Sequence, residues 1–134
     1  MRRSSFEYAN KAIYCHRGVS NAEEGKVYEI LDRKGEGCNT KFKIEPGWYS
    51  RSSFRPYYDV DIGDILISTE RVYISRGDHA DAGEEFKVAS SRIVDGYVKT
   101  QRITVICPSG RKKIARHRHF KPAKRTIREK VELI

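Results

Sequence analysis

Apolar and polar residues alternate in short runs along the chain, and glycine, aspartate, asparagine or serine separates the runs. This pattern is typical of short β-strands joined by tight turns. In the first half it predicts strands over residues 12–15, 26–31, 40–44 and 48–50, with a closing element at Phe54. In the second half it predicts strands over 71–75, 85–90, 101–107 and 112–115, with a closing element at Phe120. We therefore expect an all-β protein.

The helical pattern is weak and confined to the two ends. Residues 5–11 and 123–133 carry apolar residues at helix-like spacing, and Ile127, Val131 and Ile134 follow i, i+4, i+7. A short C-terminal helix is predicted there, with an extra strand as the alternative.

The two halves repeat one motif. Residues 12–18 and 71–77 both read apolar-Tyr-x-x-Arg-Gly, and each is followed by a Gly/Glu turn and an alternating strand. Both copies end in Phe, a basic residue and Pro, at 54–56 and 120–122. The proposed matches are Tyr14 with Tyr73, Arg17 with Arg76, Gly18 with Gly77, and Phe54 with Phe120. This alignment places an insertion of about seven residues in the second copy, within 90–99.

A tandem duplication predicts two domains, residues 1–62 and 63–134. Five short strands in each domain favour a small barrel, because closure leaves no long strand edge exposed. The linker is predicted at 57–64, and the apolar residues 65–67 that follow it either pair with one barrel or bridge the two. The residues expected in the two cores are Tyr14, Tyr28, Trp48, Phe54, Tyr73, Phe86 and Phe120.

Positive charge is concentrated near the C-terminus. The chain has a net charge of +9, and between Lys99 and Lys130 there are 12 basic residues and one acidic residue, Glu129. Clustered Lys and Arg side chains neutralise phosphates and release counterions, so the cluster favours a nucleic acid, DNA or RNA, as the partner. A tail that only aids solubility is the alternative. The candidate nucleic-acid-binding residues are Lys99, Arg102, Arg111, Lys112, Lys113, Arg116, His117, Arg118, Lys121, Lys124, Arg125 and Arg128.

Residues 111–121 are predicted to form a basic strand-like ladder. Alternation along a strand would point Arg111, Lys113 and one of Arg116 and Arg118 outward while Ile114 and Phe120 pack inward. His117 and His119 are expected to add pH-dependent charge to the ladder. Because no recognition helix is evident, backbone contacts without sequence specificity are expected.

Other functional classes have little support in the sequence. Motifs of nucleotide-binding loops, zinc proteases and serine hydrolases are absent, so no enzyme activity and no cofactor are predicted. Cys15, Cys38 and Cys107 are predicted to be free thiols, and a metal site that combines them with His16, His117 and His119 is the less favoured alternative. No run is apolar enough for a membrane span or a signal peptide, which predicts a cytoplasmic protein with no membrane partner.

One segment has a family resemblance. Residues 24–30 (EGKVYEI), followed by 42–44 (FKI), 48–50 (WYS) and Phe54, resemble a motif of small phage-type SH3-like proteins, which are related to KOW and Tudor-like barrels. The resemblance implies two tandem five-stranded SH3-like barrels and a regulatory role in nucleic-acid binding. It also implies an alternative, a phage-encoded protein-interaction module. Such a module would dock in the host cytoplasm on an acidic surface of a host enzyme, a transcription component or a ribosomal component.

Overall fold

The fold is all-β in the part of the chain that the structure, a computed structural model, describes: residues 6–16, 20–75 and 78–123. No α-helix occurs in these ranges. Single-turn 3₁₀ helices span Gly37–Asn39, Arg51–Ser53 and His117–His119. The strands are β1 (Lys11–Tyr14), β2 (Val27–Glu29), β3 (Asp32–Lys34), β4 (Lys41–Ile44), β5 (Gly47–Ser50), β6 (Phe54–Tyr57), β7 (Ile65–Ser68), β8 (Val72–Ser75), β9 (Asp78–Ala80), β10 (Glu85–Asp95), β11 (Lys99–Ile106), β12 (Lys112–Ala115) and β13 (Phe120–Pro122).

The chain divides into two compact units. The first unit comprises Ala9–Asp59 and Ile93–Gln101, and the second comprises Met1–Tyr8, Val60–Arg92 and Arg102–Ile134. The chain therefore passes from one unit to the other between Asp59 and Val60, and the tip of the β10–β11 hairpin is part of the first unit.

Two three-stranded sheets build the first unit, in the orders β2-β1-β6 and β3-β4-β5. Strand β4 shows why this sequence forms a sheet. Lys41 and Lys43 are exposed while Phe42 and Ile44 are buried, so alternate residues face solvent and core. Rings of Tyr14, Phe42, Tyr49 and Phe54 pack together in that core, with centroids 5.4 to 6.4 Å apart.

The second unit contains a five-stranded sheet in the order β12-β11-β10-β7-β13 and a separate β8–β9 hairpin. Its core includes Phe86 and Phe120, whose rings meet edge to face at 5.5 Å. None of the four sheets closes on itself through the strands of the described ranges.

The two units share a strand order. If β2 and β3 are taken as one bent strand, the order β5-β4-(β3, β2)-β1-β6 in the first unit corresponds to β12-β11-β10-β7-β13 in the second. In both units a 3₁₀ helix directly precedes the last strand. Strands are therefore present at or near the positions that the sequence pattern predicted. The pattern did not predict β3, β9 or the 3₁₀ helices.

Equivalent backbone hydrogen bonds fix which residues correspond. Gly25 N donates to Tyr14 O at 2.6 Å, and Gly83 N donates to Ser68 O at 2.8 Å. Both glycines have positive φ, 83° and 87°, which favours glycine in the turn. Tyr14 is paired with Phe54 in the first unit, and Ser68 with Phe120 in the second.

The predicted match of Tyr14 with Tyr73 is therefore wrong, and so is the core assignment of Tyr73. Strand β7 takes the place of β1, while Tyr73 lies opposite His79 in the β8–β9 hairpin and is 72% exposed. The residues 65–67 that were left between two alternatives pair with β10 and β13 of the second unit. The extra length of the second copy is also spread over three places, the β8–β9 hairpin, the β10–β11 hairpin and the β11–β12 turn, rather than confined to 90–99. The predicted matches at Arg17, Gly18, Arg76 and Gly77 lie outside the described residues.

The weak helical pattern over residues 5–11 does not correspond to a helix in the part of this segment that the structure describes. Residues 6–8 form a turn, and Lys11 begins β1. The predicted C-terminal helix lies outside the described residues. Within the described ranges, no helix is both long enough and apolar enough to cross a membrane.

Candidate nucleic-acid interface

Strand β12 carries the centre of the predicted basic surface, but its faces are reversed from the prediction. Ile114 is 53% exposed and Lys112 is also exposed, whereas Ala115 is buried and Lys113 is half-buried. The cause is the register, because Ala115 lies opposite the buried Ile103 and therefore faces the core. Lys113 can occupy the inner side because its aliphatic stem packs while its ammonium group reaches water.

The basic ladder is interrupted after Ala115. The 3₁₀ helix His117–His119 breaks the alternation of the strand, so Arg116 and Arg118 do not continue the face of β12. Phe120 resumes extended structure and is buried, as predicted. The cations therefore form a cluster at the end of β12 and not the continuous row that the sequence predicted.

A pocket of about 340 Å³ opens at this cluster. Exposed Tyr73 and Ile114 give it an apolar wall, and the side chains of Arg116 and Arg118 add two positive charges. Its remaining lining residues are Val72, His119 and Phe120. We call this cavity the Tyr73 pocket, and it combines an aromatic surface with two guanidinium groups.

The two histidines differ in their surroundings, which corrects the prediction that both add pH-dependent charge to the surface. Burial lowers the pKa of His117 to about 4, so its imidazole is neutral at pH 7 and adds no positive charge. His119 Nδ1 lies 2.8 Å from Glu70 Oε1, which brings a carboxylate next to the pocket. Arg116 and Arg118 are the two arginines that line the pocket.

The remaining predicted cations are spread over several elements. Arg102 is exposed on β11 and Arg111 is exposed in the turn before β12. Lys121 on β13 places its ammonium 5.5 Å from the centre of the Tyr8 ring. Lys99 belongs to the first unit, where its Nζ lies 3.9 Å from Asp95 and its side chain covers Gly25. Lys124, Arg125 and Arg128 lie outside the described residues.

A second basic surface, in the first unit, was not predicted. Lys34, Lys41 and Lys43 lie on the outward face of the sheet β3-β4-β5, and Trp48 is opposite Lys43. Trp48 is 36% exposed, which corrects its assignment to the core. The alternation of lysines with Phe42 and Ile44 along β4 was the signal in the sequence that could have identified this face.

The three cysteines are thiols and form no disulfide in the structure. Cys15 and Cys107 are buried and Cys38 is exposed. Cys15 Sγ lies 3.4 Å from the carbonyl oxygen of Ser53, and burial raises the pKa of this thiol. Within the described ranges, no three His, Cys, Asp or Glu residues are grouped so that they could hold a metal ion.

Comparison of the chain with protein-family models, with curated proteins and with solved structures gave no match. The geometry and charge of the two basic surfaces are therefore the features that bear on function.

Proposed function

We propose that the protein is a non-enzymatic nucleic-acid-binding protein that contacts the phosphate backbone of DNA or RNA through its second unit. The observation that supports it is the set of exposed or half-buried cations around β12: Arg102, Arg111, Lys112, Arg116 and Arg118. Among the described residues, none of the ion pairs found involves any of these five side chains. Their charges are therefore available to neutralise phosphates, which is the main source of affinity in non-specific binding.

We further propose that each unit is an SH3-like barrel and that the chain is a tandem duplication. The shared strand order, the 3₁₀ helix before the last strand and the equivalent glycine turns support this assignment. The hydrogen-bonded sheets are open, so the proposed barrel is defined by the order of its strands and not by a closed ladder of hydrogen bonds. In this reading the last strand, β6 or β13, closes the unit against the first, β1 or β7.

The test is a salt titration with generic DNA and RNA. Replacing Arg111, Lys112, Arg116 and Arg118 with glutamine is expected to lower affinity roughly 100-fold at 0.1 M salt. The slope of log K against log salt should fall in magnitude by about 3 because fewer counterions are released. These side chains are exposed or half-buried, so the fold should be unchanged by circular dichroism.

A control variant removes the same charge elsewhere, with Lys26, Arg51, Arg71 and Lys87 replaced by glutamine. It should retain most of the affinity, because the proposed contacts are local. Equal binding by the wild type and the first variant would rule out the proposed surface. Equal losses of affinity in both variants would mean that binding depends on net charge and not on this surface.

The Tyr73 pocket favours a second candidate function, docking on an acidic patch of a protein partner such as a host enzyme, a transcription component or a ribosomal component. Tyrosine and arginine are enriched where a few residues dominate a protein interface. In this reading a partner side chain enters beside Tyr73 and Ile114, and acidic groups meet Arg116 and Arg118.

Capture of partners from nuclease-treated lysate distinguishes the two functions. For the docking function, a protein should be retained after nuclease and its capture should fall at least tenfold with Tyr73→Ala, the size of loss typical of a dominant interface residue. Loss of all partners on nuclease treatment would instead favour nucleic acid. Tyr73→Phe is the matched control because it keeps the ring.

A further inference from the structure

The outward face of the sheet β3-β4-β5 combines a tryptophan with three lysines. Lys34 is opposite Lys41 across one strand pair, and Lys43 is opposite Trp48 across the other. Directly opposed residues share a face of the sheet, so these four side chains form one surface, which we call the Trp48 face. Ser50 and one acidic residue, Asp32, also lie on it.

The charge of the Trp48 face is strongly positive despite Asp32. One oxygen of the Asp32 carboxylate accepts a hydrogen bond from Arg33 N at 2.8 Å. Within the described part of the chain, the ion pairs found do not include Lys34, Lys41 or Lys43. Three ammonium groups therefore remain available for phosphates.

Trp48 offers an aromatic surface beside these charges, on the edge strand β5. Its ring is partly exposed, and Lys34 Nζ lies 4.1 Å from its centre in a cation–π contact. That ammonium group is on a flexible stem, so it can move from the ring to a neighbouring phosphate when a base takes its place. Cations that follow a backbone and an aromatic ring that stacks on a base are the two parts of a single-strand binding site.

The same position is apolar and exposed in the second unit. Trp48 and Ile114 each precede the closing phenylalanine of their unit by six residues, and both lie on the strand before the 3₁₀ helix. Both have cationic neighbours, Lys34 at Trp48 and Arg116 and Arg118 at Ile114. The similarity indicates that each unit presents a ligand surface at this strand.

We infer that the Trp48 face is a second nucleic-acid-binding surface, selective for single strands, on which an unpaired base stacks on Trp48 while Lys34, Lys41 and Lys43 contact the phosphates. This goes beyond the proposed function, which places binding in the second unit. Duplex bases are already stacked on each other and cannot reach the ring, so the surface takes unpaired DNA or RNA.

The chain has a single tryptophan, so its fluorescence reports on this face directly. Titration with oligothymidylate is expected to quench the emission, and a duplex of equal length should quench it far less. Quenching should persist in the variant that lacks the cations at Arg111, Lys112, Arg116 and Arg118. A lack of quenching by bound oligothymidylate would overturn the inference, and so would equal quenching by polyglutamate, which carries charge but no bases.

Substitutions give an independent measurement by filter binding. Trp48→Ala should weaken single-strand binding roughly 5- to 140-fold, from about 1 to 3 kcal/mol of stacking per base. Trp48→Phe should retain most of the affinity because the ring can still stack. The triple variant Lys34→Gln, Lys41→Gln, Lys43→Gln should lower affinity and reduce the salt dependence by about 2 units.

The outcomes separate this inference from the proposed function. Wild-type affinity in both the Trp48→Ala and triple lysine variants would overturn the second surface and leave the proposed function intact. Loss in those variants, with unchanged binding in the variant of the second unit, would support the Trp48 face and refute the proposed function. No binding of oligothymidylate, generic DNA or RNA to the wild type would refute both.

Discussion

Replacing Phe54 with alanine is expected to lower the free energy of unfolding of the first unit by about 3 to 5 kcal/mol. Phe54 is buried and lies within 6.4 Å, ring centre to ring centre, of Tyr14, Phe42 and Tyr49. The change therefore removes the shared contact of three other rings and leaves a cavity. Small units have only a few kcal/mol of stability in total, so the first unit should be largely unfolded at room temperature.

Urea unfolding followed by the fluorescence of Trp48 measures this loss, because the tryptophan lies in the same unit. Phe54→Leu is the matched control and should cost much less, since it keeps most of the apolar volume. If Phe54→Ala unfolds at nearly the wild-type urea concentration, the ring cluster is not the core of this unit.

The strands of the first unit were largely predictable because their signals are local. Lys41 to Ile44 alternate strictly, and Gly47 introduces the next strand, so both β4 and β5 could be assigned from a few residues. Phe54 and Phe120 were predicted to form the closing elements, and each begins a Phe-basic-Pro triplet and the last strand of its unit. Such features need no knowledge of distant partners.

The correspondence between the two copies was harder to predict because it depends on hydrogen bonds between distant residues. The Tyr-x-x-Arg-Gly pattern recurs in the second copy, yet there it begins in the β8–β9 hairpin. The strand that replaces β1 ends in Ser68, whose buried hydroxyl accepts a hydrogen bond from Glu84 N at 3.0 Å. Tyrosine and serine differ greatly in size and share only a hydroxyl group, so the sequence pattern did not indicate that Tyr14 and Ser68 occupy equivalent places.

In the candidate sites too, local features were predictable from the sequence, whereas features that depend on distant residues were not. The region around β12 was selected by its net charge, because charged residues can be counted from the sequence alone. Which side chains of β12 point to solvent depends on the register of Ala115 with Ile103 and on the 3₁₀ helix at His117. The alternation of apolar and polar residues in the sequence predicts neither feature. Trp48 was assigned to a core because of its position in the expected barrel, but its partner strand places it beside lysines.

Gln101→Leu is expected to destabilise the first unit by about 2 to 6 kcal/mol. The side-chain amide of Gln101 accepts a hydrogen bond from Tyr58 N and donates one to Tyr58 O, each at 2.7 Å. Both residues are buried, so the amide completes the backbone of Tyr58 as a neighbouring strand would. Leucine has a similar size but leaves an N–H and a carbonyl oxygen of Tyr58 without these partners, at about 1 to 3 kcal/mol each.

Hydrogen exchange at the Tyr58 amide gives a site-specific measurement beside urea unfolding. This amide should exchange slowly in the wild type and much faster in Gln101→Leu, because its acceptor is gone. Arg102→Gln, at an exposed neighbouring position, is the control and should change stability by less than about 0.5 kcal/mol. Unchanged protection of Tyr58 in Gln101→Leu would mean that the amide does not hold this backbone. Loss of protection would show that the Gln101 amide holds the backbone of Tyr58. Gln101 lies on the inward face of β11 with Ile103 and Val105. Its hydrogen bonds to Tyr58 would then fix the tip of the β10–β11 hairpin within the first unit.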